Sequence, residues 1–329
     1  MTERKMTRSM TAPTTRVERV AKRIARDQAR QERSVIRAER PEASSSEIDA
    51  LNARIAALTE CHHVVYDPTD WAAVAARGEV ERPTRSNINE AAARKALTSY
   101  RPGLWDRLLG LDQDRRRALV AKVAEAASRD EAAFRAARKI ADTHNAEVEF
   151  AMRLIELDVK TIERSLIEHT TLDDIGPAIE GVRLHVPAKG RLVARVAGLE
   201  LEDMPDEEVE VTAQGKAVFR PMSRAGMAQL HRRNVCSAAL RVAAEVLSAT
   251  PVEWVEVVVE CDIVDRISQE VNRAQILHVK IGHRALTELT LDKLDPVEAV
   301  KGFGARMDWS ASEGFAPVDT PDLALPVAA

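Results

Sequence analysis

The stretch VEWVEVVVECDIVD, residues 252–265, decides the fold of the second half of the chain, because apolar and acidic residues alternate along it. Side chains on a β-strand point alternately to opposite faces. One face would then carry Glu253, Val255, Val257, Val259, Cys261 and Ile263, which are all apolar except the first. The other face would carry Val252, Trp254, Glu256, Val258, Glu260 and Asp262. We therefore predict a strand that buries its first face in a core and turns three carboxylates to solvent on its second.

A second strand, QILHVKI at 275–281, is predicted to pair with this one across the connection 266–274. If the pairing is antiparallel, His278 and Lys280 fall on the same face as the carboxylates. Opposite charges across strands stabilise a sheet by roughly 0.2–1 kcal/mol per pair. The simplest interpretation of the acidic residues is therefore the solvated face of a half-buried hairpin, although a β-bulge would change the register.

A metal-dependent nuclease is the alternative interpretation of the same hairpin. Such enzymes hold Mg²⁺ with Asp and Glu oxygens and place a Lys beside the developing charge. The candidates would be Asp262, Glu260 and Lys280. The position two residues before Lys280 is His278, a ligand type that suits Mg²⁺ poorly, so this site would lack one oxygen ligand.

The surrounding sequence predicts an α+β fold with a mainly antiparallel sheet. From about residue 180 the apolar period is two, with Gln214-Gly215 as a hairpin turn. Ser223 is predicted to cap a largely buried helix that continues to about Ala249, in which His231 and Asn234 would be satisfied core polar groups. Asp295 is a further predicted helix cap. Upstream, a long helix is expected from about Asp112 to Glu168.

A short heptad seam precedes this helical stretch. Ser44 and Glu47 have the spacing of a capping box, and Ile48, Leu51, Ile55, Leu58 and His62 then recur at intervals of three and four residues. A seam of about two heptads is too short to stand alone, so it must pack on another helix, in this chain or in a second copy. Ile48, Leu51, Ile55 and Leu58 are therefore the predicted interaction residues.

The N-terminal forty residues are basic, with 12 Lys or Arg against 5 Asp or Glu. The simplest interpretation of this basic segment is a solvated helix or a disordered leader. The alternative is weak contact with nucleic acid through residues 16–40, which a basic segment favours. The segment lacks interleaved aromatic residues, and acidic residues are scattered through it.

Composition excludes several classes of protein. The chain has 329 residues, a net charge of −4 and only 3% aromatic residues. Its three cysteines, Cys61, Cys236 and Cys261, are far apart in the sequence, and no two of them form a CxxC motif. This spacing argues against a disulfide framework or a zinc finger. No run is long and apolar enough to span a bilayer, no signal peptide is evident, and a cytoplasmic location is expected. Walker A, G-x-S-x-G, H-E-x-x-H and strand-linked G-x-G-x-x-G motifs do not occur.

The C-terminal half resembles a group of uncharacterised bacterial proteins. The residues that carry the resemblance are NVCSAALRVAAEVLSATPVEWVEVVVECDIVD (234–265), QILHVKI (275–281) and LTLDKLDPVEAVKGFGARMDWSASEGFAPV (289–318). Asp70-Trp71 and SYRPGLWDRLLG (99–110) extend it toward the N-terminus, so that it covers about residues 50–318. The resemblance implies one two-part unit and carries no activity, cofactor or site residue.

These patterns together predict a basic arm (1–43), a helical region (44–172), an α+β domain (173–318) and a disordered tail (319–329). We expect a cytoplasmic, non-enzymatic scaffold or interaction protein that self-associates through its helical region. No cofactor, metal or membrane contact is expected. The expected partner is a second copy or another protein.

Overall fold

The computed structural model of the chain describes residues 16–39, 43–105, 109–188, 190–264 and 271–319. These residues fold into two compact units, one from the described parts of 1–69 and 157–329 and the other from those of 70–156. The predicted boundaries at residues 44 and 173 differ from these, because the helices Ser45–Thr59 and Val159–Glu168 group with the sheet rather than with the helices of residues 70–156. Residues 1–15 of the arm and nearly all of the predicted tail lie outside the described residues.

The fold is α+β, as predicted. In chain order the helices are α1 (Arg16–Glu39), α2 (Ser45–Thr59), α3 (Trp71–Ala76), α4 (Ile88–Ser99), α5 (Asp112–Ile155), α6 (Val159–Glu168), α7 (Arg224–Ala249), α8 (His283–Thr287) and α9 (Pro296–Gly302). The strands are β1 (Ile179–Ala188), β2 (Arg191–Gly198), β3 (Glu207–Val211), β4 (Ala217–Pro221), β5 (Trp254–Val264), β6 (Val271–Gly282), β7 (Asp308–Ser310) and β8 (Gly314–Ala316). Within the described ranges, no helix is long and apolar enough to cross a membrane.

The main sheet has the strand order β1-β2-β5-β6. β1 pairs antiparallel with β2, and β5 pairs antiparallel with β6, as predicted for the hairpin. β2 and β5 run parallel, so the chain between them crosses over through α7. The hairpin of β3 and β4 turns at Gly215, whose φ of +76° is a backbone conformation that favours glycine.

Helix α7 packs against β2, β5 and β6 and buries most of its residues from Val235 to Ala249. Its predicted cap is present, because the Ser223 hydroxyl accepts a hydrogen bond from the Gly226 amide at 3.1 Å. The apolar side chains of the first β5 face, Val255, Val257 and Val259, are fully buried. The predicted core face of the 252–265 stretch is therefore confirmed.

Within residues 70–156, of which 106–108 are not described, α3 and α4 pack along α5 in one compact unit. The indole of Trp71 lies edge-on to the Phe150 ring at 5.6 Å. The Asp130 carboxylate accepts from the backbone amides of Asn89 and Glu90, at 3.4 and 2.8 Å, and so caps α4 from the side of α5. The Asn145 side-chain amide accepts a hydrogen bond from the Val80 amide at 2.8 Å and donates one to the Val80 carbonyl at 2.9 Å.

The predicted helix from Asp112 to Glu168 is wrong at its C-terminal part, because the chain leaves the helical conformation after Ile155. Leu157 has a φ of +57°, in the left-handed region, and Asp158 then caps α6 by accepting from the Thr161 amide at 2.9 Å. A left-handed residue cannot continue a right-handed helix. The apolar period continues across this break, so spacing alone could not reveal it.

Candidate functional site

The charged side of the main sheet is the candidate site, and its side chains stand in rows across the four strands. The strand register sets three consecutive rows. From β1 to β6 the first row is His185, Val193, Glu256 and Lys280. The second is Arg183, Arg195, Val258 and His278, and the third is Gly181, Ala197, Glu260 and Gln275. The prediction that His278 and Lys280 share the face of the carboxylates is confirmed.

This face is less solvated than the alternating pattern predicted. Glu256 and Asp262 are each only 9% exposed, and Val193 and Val258 are fully buried against each other. The two valines stand in rows beside long charged side chains, and such side chains can lie over apolar surface while their charged ends remain in water. The face is therefore a layer of ion pairs over a small apolar patch.

One end of the face, around Glu260 and Asp262, is acidic and its charges are matched. Arg195 donates a hydrogen bond to Glu260. Arg273 lies 3.6 Å from Asp262, 3.9 Å from Glu260 and 3.7 Å from Glu180. A partly buried carboxylate is stable only when it is paired or hydrogen-bonded, and these arginines meet that requirement.

The other end of the face is cationic. Glu256 is approached by the Arg191 guanidinium at 3.3 Å and by His278 Nε2 at 3.7 Å. The Lys280 ammonium lies 3.5 Å from the centre of the Trp254 ring, a cation–π contact. Positive side chains therefore outnumber carboxylates in the first two rows.

The structure does not bring the nuclease candidates together. Glu260 and Asp262 are neighbours on β5, but Lys280 pairs with Glu256, and Arg273 stands opposite Asp262. Six residues of strand separate Glu256 from Asp262, a distance of about 20 Å. Within the described part of the chain there is also no group of three or more His, Cys, Asp or Glu side chains arranged to hold a metal ion.

The predicted interaction seam faces the inside of its own unit. Helix α2 packs on α7, and Leu58 is buried in a cluster with Leu199, Met204 and Leu230. Ile48, Leu51 and Ile55 are half-buried. The predicted capping box is present, since the Glu47 carboxylate accepts from the Ser44 amide at 3.0 Å. The apolar seam is thus covered at least in part by the same chain.

The basic arm has its cations turned toward carboxylates of its own unit. The arm residues with a carboxylate within 3.4 Å are Lys22, Arg23, Arg26, Arg30, Arg33 and Arg37. Their partners are Glu47, Glu180, Glu200, Asp203, Asp206 and Glu207. The large hydrophobic side chains described in α1, namely Val20, Ile24, Val35 and Ile36, are by contrast exposed. Sequence analysis missed this docking, because the acidic residues are scattered over more than 150 residues of sequence.

Sequence analysis also missed a buried polar cluster at the end of α2. The Ser237 hydroxyl lies 2.7 Å from His62 Nδ1 and 3.1 Å from Cys61 Sγ. Burial lowers the pKa of His62 to about 4 and raises the pKa of the Cys61 thiol. Ser237 has no exposed surface, so this Ser–His pair joins α2 to α7 and offers no nucleophile to a substrate.

Comparison of the chain with protein-family models, curated proteins and solved structures finds no match.

Proposed function

We propose that the protein is a non-enzymatic, cytoplasmic scaffold that self-associates through its helical unit, residues 70–156. One observation carries the proposal: hydrophobic exposure is concentrated in this unit. It contains ten of the eighteen large hydrophobic side chains that are exposed in the described residues, in about a quarter of the sequence. Exposed apolar side chains that cluster mark interaction surfaces more often than chance.

The most exposed members lie between α4 and α5. Leu104 is 83% exposed and the neighbouring Trp105 is 75% exposed, and Leu109 and Leu111 follow them in the chain. Tryptophan is enriched among the residues that dominate binding energy at protein interfaces. An indole left in water at this position is therefore the first candidate for an interface residue.

The charge distribution along α5 favours a second copy as the partner. Residues 112–139 carry 8 Lys or Arg and 5 Asp or Glu, whereas residues 140–156 carry one Arg and 4 Asp or Glu. In an antiparallel pair related by a two-fold axis, the basic part of each helix faces the acidic part of the other. Complementary ends of this kind orient an association and suppress the parallel alternative.

The proposal is tested by the mass of the protein in solution. We expect sedimentation velocity to give about twice the 36.3 kDa mass of one chain at tens of micromolar. Leu104→Ser/Trp105→Ser should shift the protein to the single-chain mass. Val65→Ser is the control, because Val65 is 91% exposed in the other unit. A wild-type protein that stays at the single-chain mass at this concentration would contradict the proposal.

A further inference from the structure

Two arginines of the charged face stand directly opposite each other. Arg183 on β1 pairs with Arg195 on β2 in the strand register. Like charges at directly opposed positions destabilise a sheet. Arg195 is compensated by Glu260, but Arg183 is exposed and has no carboxylate within 4 Å in the described residues. An anion from solution would relieve this repulsion.

The same end of the face holds further basic side chains. His185 follows Arg183 on β1, and the exposed Lys280 stands at the β6 end of the same row as His185. Glu256 is the one carboxylate in these two rows, and both Arg191 and His278 approach it. The buried Nε2 of His278 has no hydrogen-bond partner in the described structure. A single carboxylate cannot compensate the charges of Arg183, Arg191 and Lys280.

The basic arm, for which weak contact with nucleic acid was the alternative interpretation, lacks such uncompensated cations. Arg26, for example, donates to Glu200 and to Asp203, both at 2.9 Å. An external polyanion would have to break such pairs before it could bind the arm. Neither Arg183 nor Lys280 has a carboxylate partner among the described residues, although the Lys280 ammonium contacts the Trp254 ring. The cations that are available to a polyanion are therefore on the sheet.

The shape of the array indicates the class of ligand. Neighbouring strands are about 4.8 Å apart, so the four strands spread these cations over roughly 14 Å. An array spread over this length suits an extended ligand, whereas compact ligands bind in concave sites. The rings of Trp254, His185 and His278 stand among the cations, and cationic sheet faces with planar side chains suit single strands, whose phosphates meet the charges and whose bases meet the rings.

We infer that the cationic end of this sheet face, formed by Arg183, His185, His278 and Lys280 beside Trp254, binds single-stranded nucleic acid through its phosphates. This inference does not depend on self-association of the helical unit. An acidic polypeptide would offer the negative charges without the bases, and competition with such a polypeptide separates the two.

The test is fluorescence anisotropy with a labelled oligonucleotide of about 20 nucleotides at low salt. We expect Arg183→Gln/Lys280→Gln to raise Kd at least about tenfold and to lower the slope of log Kd against log salt by one to two. The matched control, Arg30→Gln/Arg33→Gln, also removes two positive charges and should change Kd less than about threefold. Arg183→Lys/Lys280→Arg keeps both charges and should bind like the wild type.

Three outcomes would overturn the inference. These are the absence of saturable binding by the wild-type chain, a loss in the arm variant equal to that in the sheet variant, and competition by polyglutamate as strong as that by unlabelled oligonucleotide. Thermal melting of each variant shows that it is folded. Both replaced side chains of the sheet variant are exposed, so their replacement by glutamine should leave the melting temperature close to that of the wild type.

Discussion

Two buried polar side chains of α7, Asn234 and His231, connect this helix to distant parts of the chain. Asn234 donates to the carbonyls of Leu58 and Ala178, at 3.0 and 2.9 Å, and His231 Nε2 lies 2.9 Å from the Leu199 carbonyl. Asn234 is a satisfied core group, as predicted, whereas the prediction fails for His231, because its buried Nδ1 has no hydrogen-bond partner in the described residues. They link α7 to segments more than 30 residues away in the sequence, so each reports on tertiary packing rather than on its own helix.

We expect the buried imidazole of His231 to lower the free energy of unfolding of the protein in acid. Burial lowers its pKa from 6.5 to about 4, and the Leu199 carbonyl only partly offsets this effect. The folded state therefore binds this proton less tightly than the unfolded state, so the stabilisation is complete above pH 6.5 and is lost as the pH falls toward 4. A depression of this size corresponds to about 3 kcal/mol.

The measurement is urea unfolding at about pH 7.5 and about pH 4.5. His231→Gln keeps an amide that can donate to Leu199 but cannot titrate, so its free energy of unfolding should fall less between the two values than that of the wild type. His62 remains as a second buried imidazole with a lowered pKa, so some dependence should persist. Equal pH dependence in the variant and the wild type would rule out His231 as a contributor.

Helix ends are the elements that the sequence predicted best. Ser44, Ser223 and Asp295 each cap the helix that follows them. A cap is a local hydrogen bond between a side chain and an amide two or three residues later, so residue type and spacing suffice to find it. The break at Leu157 was not found, because nothing in the side chain of leucine favours a left-handed backbone.

The Asp295 side chain caps the N-terminus of α9, so its replacement should destabilise the protein. Its carboxylate accepts from the amides of Val297 and Glu298, at 2.9 and 3.1 Å, and pairs with Arg233 at 2.6 Å. Asp295→Ala should lower the free energy of unfolding by about 1 kcal/mol. Asp295→Asn keeps the cap and loses only the charge of an exposed pair, so it should cost less. Equal losses in urea titrations of the two variants would assign the effect to Arg233 instead.

Assembly of the sheet unit depends on contacts between distant parts of the sequence. Leu58, in α2, is buried against Leu199 and Met204 and packs with Leu230 of α7. Leu58→Ala should therefore lower the free energy of unfolding by about 2–5 kcal/mol, because it leaves a cavity where these segments meet. Val65→Ala is the control at an exposed site and should cost under about 0.5 kcal/mol.

The same variant distinguishes the two roles that the seam could have. If Leu58 only packs inside its own unit, Leu58→Ala should lose stability in urea titrations and keep the sedimentation behaviour of the wild type. A variant that keeps its stability but changes its mass in solution would show that the seam joins two copies.

The sequence by itself determined the features that depend on near neighbours in the chain. The alternation in residues 252–265 fixed which side chains enter the core and which join the charged face, because the period of a strand is two. It also placed His278 and Lys280 on that face, since a hairpin fixes the pairing of its two strands. The helix caps were local in the same sense.

Only the tertiary structure decided which distant segments meet. The parallel pairing of β2 with β5 sets Arg195 beside the acidic residues of β5, and the docking of α1 gives its cations to Glu180, Glu200 and Asp203. Ion pairs of this kind have no preferred spacing in sequence, because charges act through space. Whether a given arginine is paired or available, and hence where an anion could bind, therefore followed from the fold alone.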